Sequence, residues 1–307
     1  MSKSTCQAQP ACQAQRACQA RPTRRARRAP GLPWHIARTA LCILSAISAG
    51  CATPERHAQQ LARDGGLEPL LLEGIGFQHR AFAAVRGAAD LLVLFIDGDG
   101  SPWIDGGRRI AADPTPHRPL ALRLAAATPA SVLYLGRPCY LAPVRPRGCS
   151  EELWTSQRYS AAVVASMTAA AGTYIAQHHF ERVLLVGYSG GGTLAALMAG
   201  NMPRAVGLVT IAANLDPDAW TRVHGYLPLQ GSLNPSLQPP LPPNLRQWYL
   251  VGQRDTNVPS AATLRYFQRV PPERVWSYAR FDHTCCWVEE WPALFAKMIA
   301  ELAAGDH

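Results

Sequence analysis

Five residues, Gly187-Tyr188-Ser189-Gly190-Gly191, constrain this chain more than any others, because they join the apolar run 183–186 to a stretch of small residues at 193–199. The order reads as strand, sharp turn, helix. A serine on so tight a turn has a strained backbone, and the following helix must pass close to the strand, so neighbours without side chains are required. Gly187 and Gly191 meet that requirement, and Gly190 and Gly192 extend it. Such a turn lifts the Ser189 hydroxyl above a sheet edge and aims the first helical N–H groups at whatever the hydroxyl attacks. Ser189 is therefore the candidate nucleophile.

The rest of the chain supplies the frame for such a turn. Residues 91–96, Leu-Leu-Val-Leu-Phe-Ile, form the continuous apolar run of a strand buried on both faces. Further strands are expected at 132–135, 183–186, 205–212, 247–251 and 275–278, and helices at 159–178, 193–199 and 291–303. Before them the sequence suggests a helix near 55–63 and one early edge strand around 70–76. Alternating strands and helices imply an α/β fold with a mostly parallel central sheet, helices on both faces, and any site at the carboxyl ends of the strands. Residues 52–307 read as one such domain. Residues 215–245, rich in Pro, Leu and Asn, lack a clear period and read either as a functional insertion such as a lid or as a passive surface excursion.

A serine hydroxyl needs a base within hydrogen-bond reach and a third group to fix that base's tautomer. Asp255 stands just past the 247–251 run, and His283 stands on the loop before the last helix. Both fall where strands end. Asp216, Asp218 and Asp282 are rival acids, and Asp282 is the weaker for being next to His283, whose ring it would have difficulty reaching. A developing oxyanion needs two backbone donors. Gly190 is the first, and the Asp97-Gly98-Asp99-Gly100 loop offers the second, with Asp99 preferred and Gly98 next. A calcium loop does not fit that segment, because Pro102 and Arg108 occupy the positions where glycine and glutamate are required.

The elbow at Ser189 and the order Ser189, Asp255, His283 resemble the α/β-hydrolase superfamily. Asp97-Gly98-Asp99-Gly100, Asp113-Pro114-Thr115-Pro116, Arg137-Pro138-Cys139, Trp154-Thr155-Ser156 with Arg158, and Phe281-Asp282-His283 resemble a narrower group of bacterial lipoprotein-type hydrolases. The resemblance implies the α/β-hydrolase fold and serine hydrolase chemistry on esters, thioesters or peptides, with small-molecule carboxylic esters first. A catalytically silent binding scaffold is the alternative from another class.

Composition bounds the partners. The 307 residues carry a net charge of +9, yet residues 1–50 hold Lys3, Arg16, Arg21, Arg24, Arg25, Arg27, Arg28 and Arg38 and no acid. Subtracting those eight charges from nine leaves +1 for the remainder, so nucleic acid is excluded as a partner. Residues 1–51 read as a leader: a near-repeat around Cys6 and Cys12, the arginines, then an apolar segment at 40–47 with the length of a secretory signal core. The small residues before Cys51 resemble a lipobox, which implies lipid attachment at Cys51 and an exported protein of the bacterial envelope, anchored to the outer membrane and facing the periplasm. In that oxidising compartment Cys139 and Cys149, flanking a short Pro/Gly loop, are the natural disulfide. Adjacent Cys285 and Cys286 cannot easily bridge each other without an awkward peptide geometry. No dinucleotide fingerprint, phosphate loop or metal-ligand spacing is visible, so no cofactor and no metal are expected.

Overall fold

The computed structural model describes residues 53–87, 90–142 and 144–304. The leader and Cys51 lie outside the described residues. Helix α1 (Pro54–Asp64) opens the described part, capped by Thr53, whose hydroxyl accepts the Arg56 N–H, with Pro54 at the first helical position. Strands β1 (Glu68–Glu73) and β2 (Gln78–Ala84) then form an antiparallel hairpin. The sequence suggests a single strand here. Gln78, His79 and Arg80 break the apolar pattern of the second, but the fully buried His79 ring is bonded to Gly136 O at 3.0 Å and Ser166 Oγ at 2.8 Å, which compensates its burial.

The remaining strands of the main sheet are β3 (Leu91–Ile96), β4 (Ser131–Leu135), β5 (Arg182–Tyr188), β6 (Ala205–Ile211), β7 (Arg246–Gly252) and β8 (Val275–Tyr278), and a separate short hairpin pairs Trp103–Ile104 with Arg109–Ile110. The sheet runs β1-β2-β4-β3-β5-β6-β7-β8, antiparallel across β1, β2 and β4 and parallel from β4 to β8. Helices α2 (Leu120–Ala126), α3 (Ala161–Gln177), α4 (Gly190–Ala199), α5 (Pro217–His224), α6 (Leu264–Phe267) and α7 (Trp287–Ala304) complete the alternation. Leu92 to Ile96 and Val183 to Val186 are wholly buried, as central strands covered on both faces must be. Strand β3 lies between β4 and β5, so the chain leaves it to one side and returns on the other. That reversal opens a crevice at the carboxyl ends of β3 and β5.

The insertion 215–245 is less irregular than its composition suggests. Asp216 caps α5 by accepting the Ala219 N–H at 3.1 Å, Pro217 occupies the first turn, and Gly225 closes the helix with φ of 66°. These are ordinary start and stop signals, obscured by the surrounding prolines. Among the described residues no helix is long and apolar enough to cross a membrane. Cys139 and Cys149 are bonded, as the loop between them suggests. Cys285 and Cys286 are bonded as well, with a cis peptide between them, the awkward geometry that a bridge between neighbours is expected to require.

Candidate active site

Strand β5 delivers Ser189 to the crevice on a backbone at φ 52° and ψ −123°, a region that only a well-supported turn sustains. The support is close packing. A methyl group on Gly191 would strike the carbonyls of Ile96 and Asp97, and one on Gly187 would strike the backbone of Gly191 and Gly192. Ser189 N donates to Ile211 O at 2.8 Å, which ties the turn to β6.

Two loops bring the partners. The β7 and β8 loops are joined by Gln253 N to Tyr278 O at 3.0 Å and Arg254 N to Phe281 O at 2.9 Å. Asp255, 6% exposed, accepts at Oδ1 from the N–H groups of Asn257 and Val258 at 2.8 and 2.7 Å. Its other oxygen lies 2.8 Å from His283 Nδ1, and His283 Nε2 lies 3.1 Å from Ser189 Oγ. Trp287 Nε1 donates to the carbonyls of Asp282 and His283, and the Tyr188 ring packs 5.2 Å from the imidazole. The rival acids are engaged elsewhere. Asp216 and Asp218 accept from Asn234 Nδ2 at 2.8 Å, and Asp282 accepts from the Thr284 and Cys285 N–H groups.

No protein-family model matches the chain, and no curated protein does. Solved structures do match. The Pyrococcus furiosus esterase Pf2001 superposes with a TM-score of 0.52 at 13% identity, over 78% of this chain and 92% of that one. A putative α/β hydrolase of unknown function from Agrobacterium tumefaciens, ATU1826, gives 0.50 at 12% identity, over 76% and 98%. The chain has the α/β-hydrolase fold.

In this hydrolase fold the β3 loop faces the elbow. Gly98 packs against Ser189, and its N–H is committed to Asp97 Oδ1 at 2.9 Å. The Asp99 and Gly190 N–H groups have no acceptor among the described residues. Gly190 is the first residue of α4, where N–H groups lack helical partners. The Asp99 side chain is clamped: Oδ1 accepts from Arg137 Nη1 at 2.7 Å, and Oδ2 accepts from Arg158 Nη1 at 2.9 Å and Tyr159 OH at 2.7 Å. Tyr140 OH donates to Asp99 O at 2.9 Å. Burial alone would raise the Asp99 carboxyl, but Arg158, Arg137 and Tyr159 outweigh it and hold it at about 2. Asp97 has no cation against it, and burial pushes it up to about 6.

The residues open onto a cavity of about 1140 Å³. Ser189, His283 and the β3 loop line it, together with Trp220 and Tyr226 to Gln230 of the insertion. Arg137 and Arg158 stand in the sequence within the Arg-Pro-Cys and Trp-Thr-Ser segments, with no local sign of a role. Nothing in the local pattern could pair Asp99 with an arginine 59 residues away.

Proposed function

We propose that the chain is a serine hydrolase acting on carboxylic esters through an acyl-enzyme. The observation that carries this reading is the unbroken relay Asp255–His283–Ser189, set beside two backbone N–H groups without acceptors at the mouth of a cavity. Ser189 Oγ attacks the ester carbonyl carbon while His283 Nε2 takes its proton. Asp255 holds Nδ1–H, so that Nε2 is the acceptor, and stabilises the imidazolium that forms. The N–H groups of Gly190 and Asp99 receive the carbonyl oxygen as it becomes negative. Collapse expels the alcohol, which takes the proton from His283, and a water activated by the same imidazole then releases the acid. The leader extends the proposal to an exported enzyme, attached to the bacterial envelope through lipid on Cys51.

A fluorophosphonate probe tests the reading. The purified protein is expected to be labelled and its Ser189→Ala variant not, with His283→Ala losing ester turnover while keeping the fold. A folded wild type that resists the probe and hydrolyses no ester would leave a binding scaffold instead.

A further inference from the structure

The Arg137–Asp99–Arg158 cluster holds more positive charge than Asp99 needs. Both guanidiniums are deeply buried, at 4% and 6% side-chain exposure, and together they face one carboxylate. Burying an excess cation costs stability, so its position is informative. Arg158 spends Nε on Thr155 O and Nη1 on Asp99, whereas Nη2 donates to nothing among the described residues. Arg158 lines the cavity. Its route to the nucleophile is short: Arg158 contacts the Asp99 carboxylate, and a methyl group on Gly190, next to Ser189, would strike that same carboxylate. The remaining charges on this wall do not cancel the excess. Asp97 turns inward to Gly98 N and the Tyr134 hydroxyl, and the exposed Arg118 adds another cation at the rim. Three guanidiniums stand against two carboxylates.

We propose that Arg158 Nη2 is an anchor for an anionic group on the substrate, so that the preferred esters carry a carboxylate a short chain away from the scissile bond. This rests on the hydrolase reading and adds the substrate class. A planar guanidinium with a free edge in a low-dielectric pocket suits a carboxylate, and an uncharged chain would leave that edge unpaired. Trp220, Tyr226 and Leu227, which line the same cavity, take the remaining apolar part of the substrate.

The test compares matched ester pairs on the purified enzyme: 4-nitrophenyl pentanoate against mono-4-nitrophenyl glutarate for an acyl-side anion, and methyl against carboxymethyl butyrate for an alcohol-side anion. At least one pair should favour its charged member in kcat/KM by about tenfold or more, the gain of a charge-assisted hydrogen bond. That ratio should collapse towards one in Arg158→Gln, where a merely structural role would lower both members together. Arg158→Lys, which keeps the charge, should retain part of it. Because Arg158 also clamps Asp99, the glutamine variant could fail to fold, so a wild-type measurement stands beside it. Glutarate should protect Ser189 from the fluorophosphonate, and the uncharged diamide of glutarate should not. Turnover that favours the neutral member of both pairs overturns the anchor, as does protection by the diamide equal to that by glutarate, or a ratio unchanged in a folded Arg158→Gln. Failure of the hydrolase reading looks different: neither labelling nor turnover of any ester.

Discussion

Asp255 and Asp97 are both buried carboxylates beside the same crevice, and their surroundings give them opposite tasks. Asp255 has two backbone N–H groups on one oxygen and the imidazole on the other, so its charge is matched in place. Replacing it by asparagine keeps the shape but removes the charge and permits the wrong imidazole tautomer. Under the proposed mechanism, Asp255→Asn should lower kcat by roughly 10³–10⁴ with little change in KM, measured by steady-state ester hydrolysis. Asp97 has no matching cation, and its folded value of about 6 stands above an ordinary 3.8. Folding therefore favours its protonated form. The associated stability is fully present below about pH 4 and is lost as pH rises through about 6. Asp97→Asn escapes that loss, so its stability relative to wild type should improve by about 3 kcal/mol between about pH 4 and about pH 8 in denaturant titrations. A pH-independent difference would mean that Asp97 is solvated in the folded protein.

At the level of single elements, the elbow between β5 and α4 depends on missing side chains. Gly191→Ala places a methyl group on the backbone carbonyls of Ile96 and Asp97, neither of which can rotate away. The expected loss is above about 3 kcal/mol, read from thermal or urea unfolding, together with loss of probe labelling. This element was legible in the sequence because every constraint on it lies within a few residues: an apolar strand, a serine, and glycines where contact is closest. Asp255 and His283 were legible for a related reason, since each follows a recognisable strand. The Arg137 and Arg158 clamp was not, because pairing across distant loops leaves no periodic trace. Strand β2 was hidden by His79, whose burial makes sense only once Gly136 and Ser166 stand beside it. Helix α5 had its cap, its proline and its terminal glycine in plain view, yet the prolines after it masked a segment of only eight residues.

Over the whole molecule, long-range ties decide how loops become a site. The Cys139–Cys149 bridge closes a loop with a sequence separation of 10, next to the segment that presents Arg137 and Tyr140 to Asp99. Cys139→Ala with Cys149→Ala should cost about 2–3 kcal/mol by the loop-entropy estimate, measured by denaturant unfolding. The same ties bear on the insertion. Ser232 Oγ donates to Ser156 O and accepts from Tyr159 N, Leu233 N donates to Tyr159 O, and Asn234 bridges Asp216 and Asp218. The segment that walls the cavity is thus stitched to the body at several points, with the cavity already open beside Ser189. An entrance that stands open imposes no waiting step on arrival. Acylation by a chromogenic ester should then proceed without a lag, and at high substrate concentration its observed rate in stopped-flow traces should level at a value that changes with the ester's leaving group, as chemistry dictates, rather than at one ceiling shared by all esters, as the opening of a door would impose.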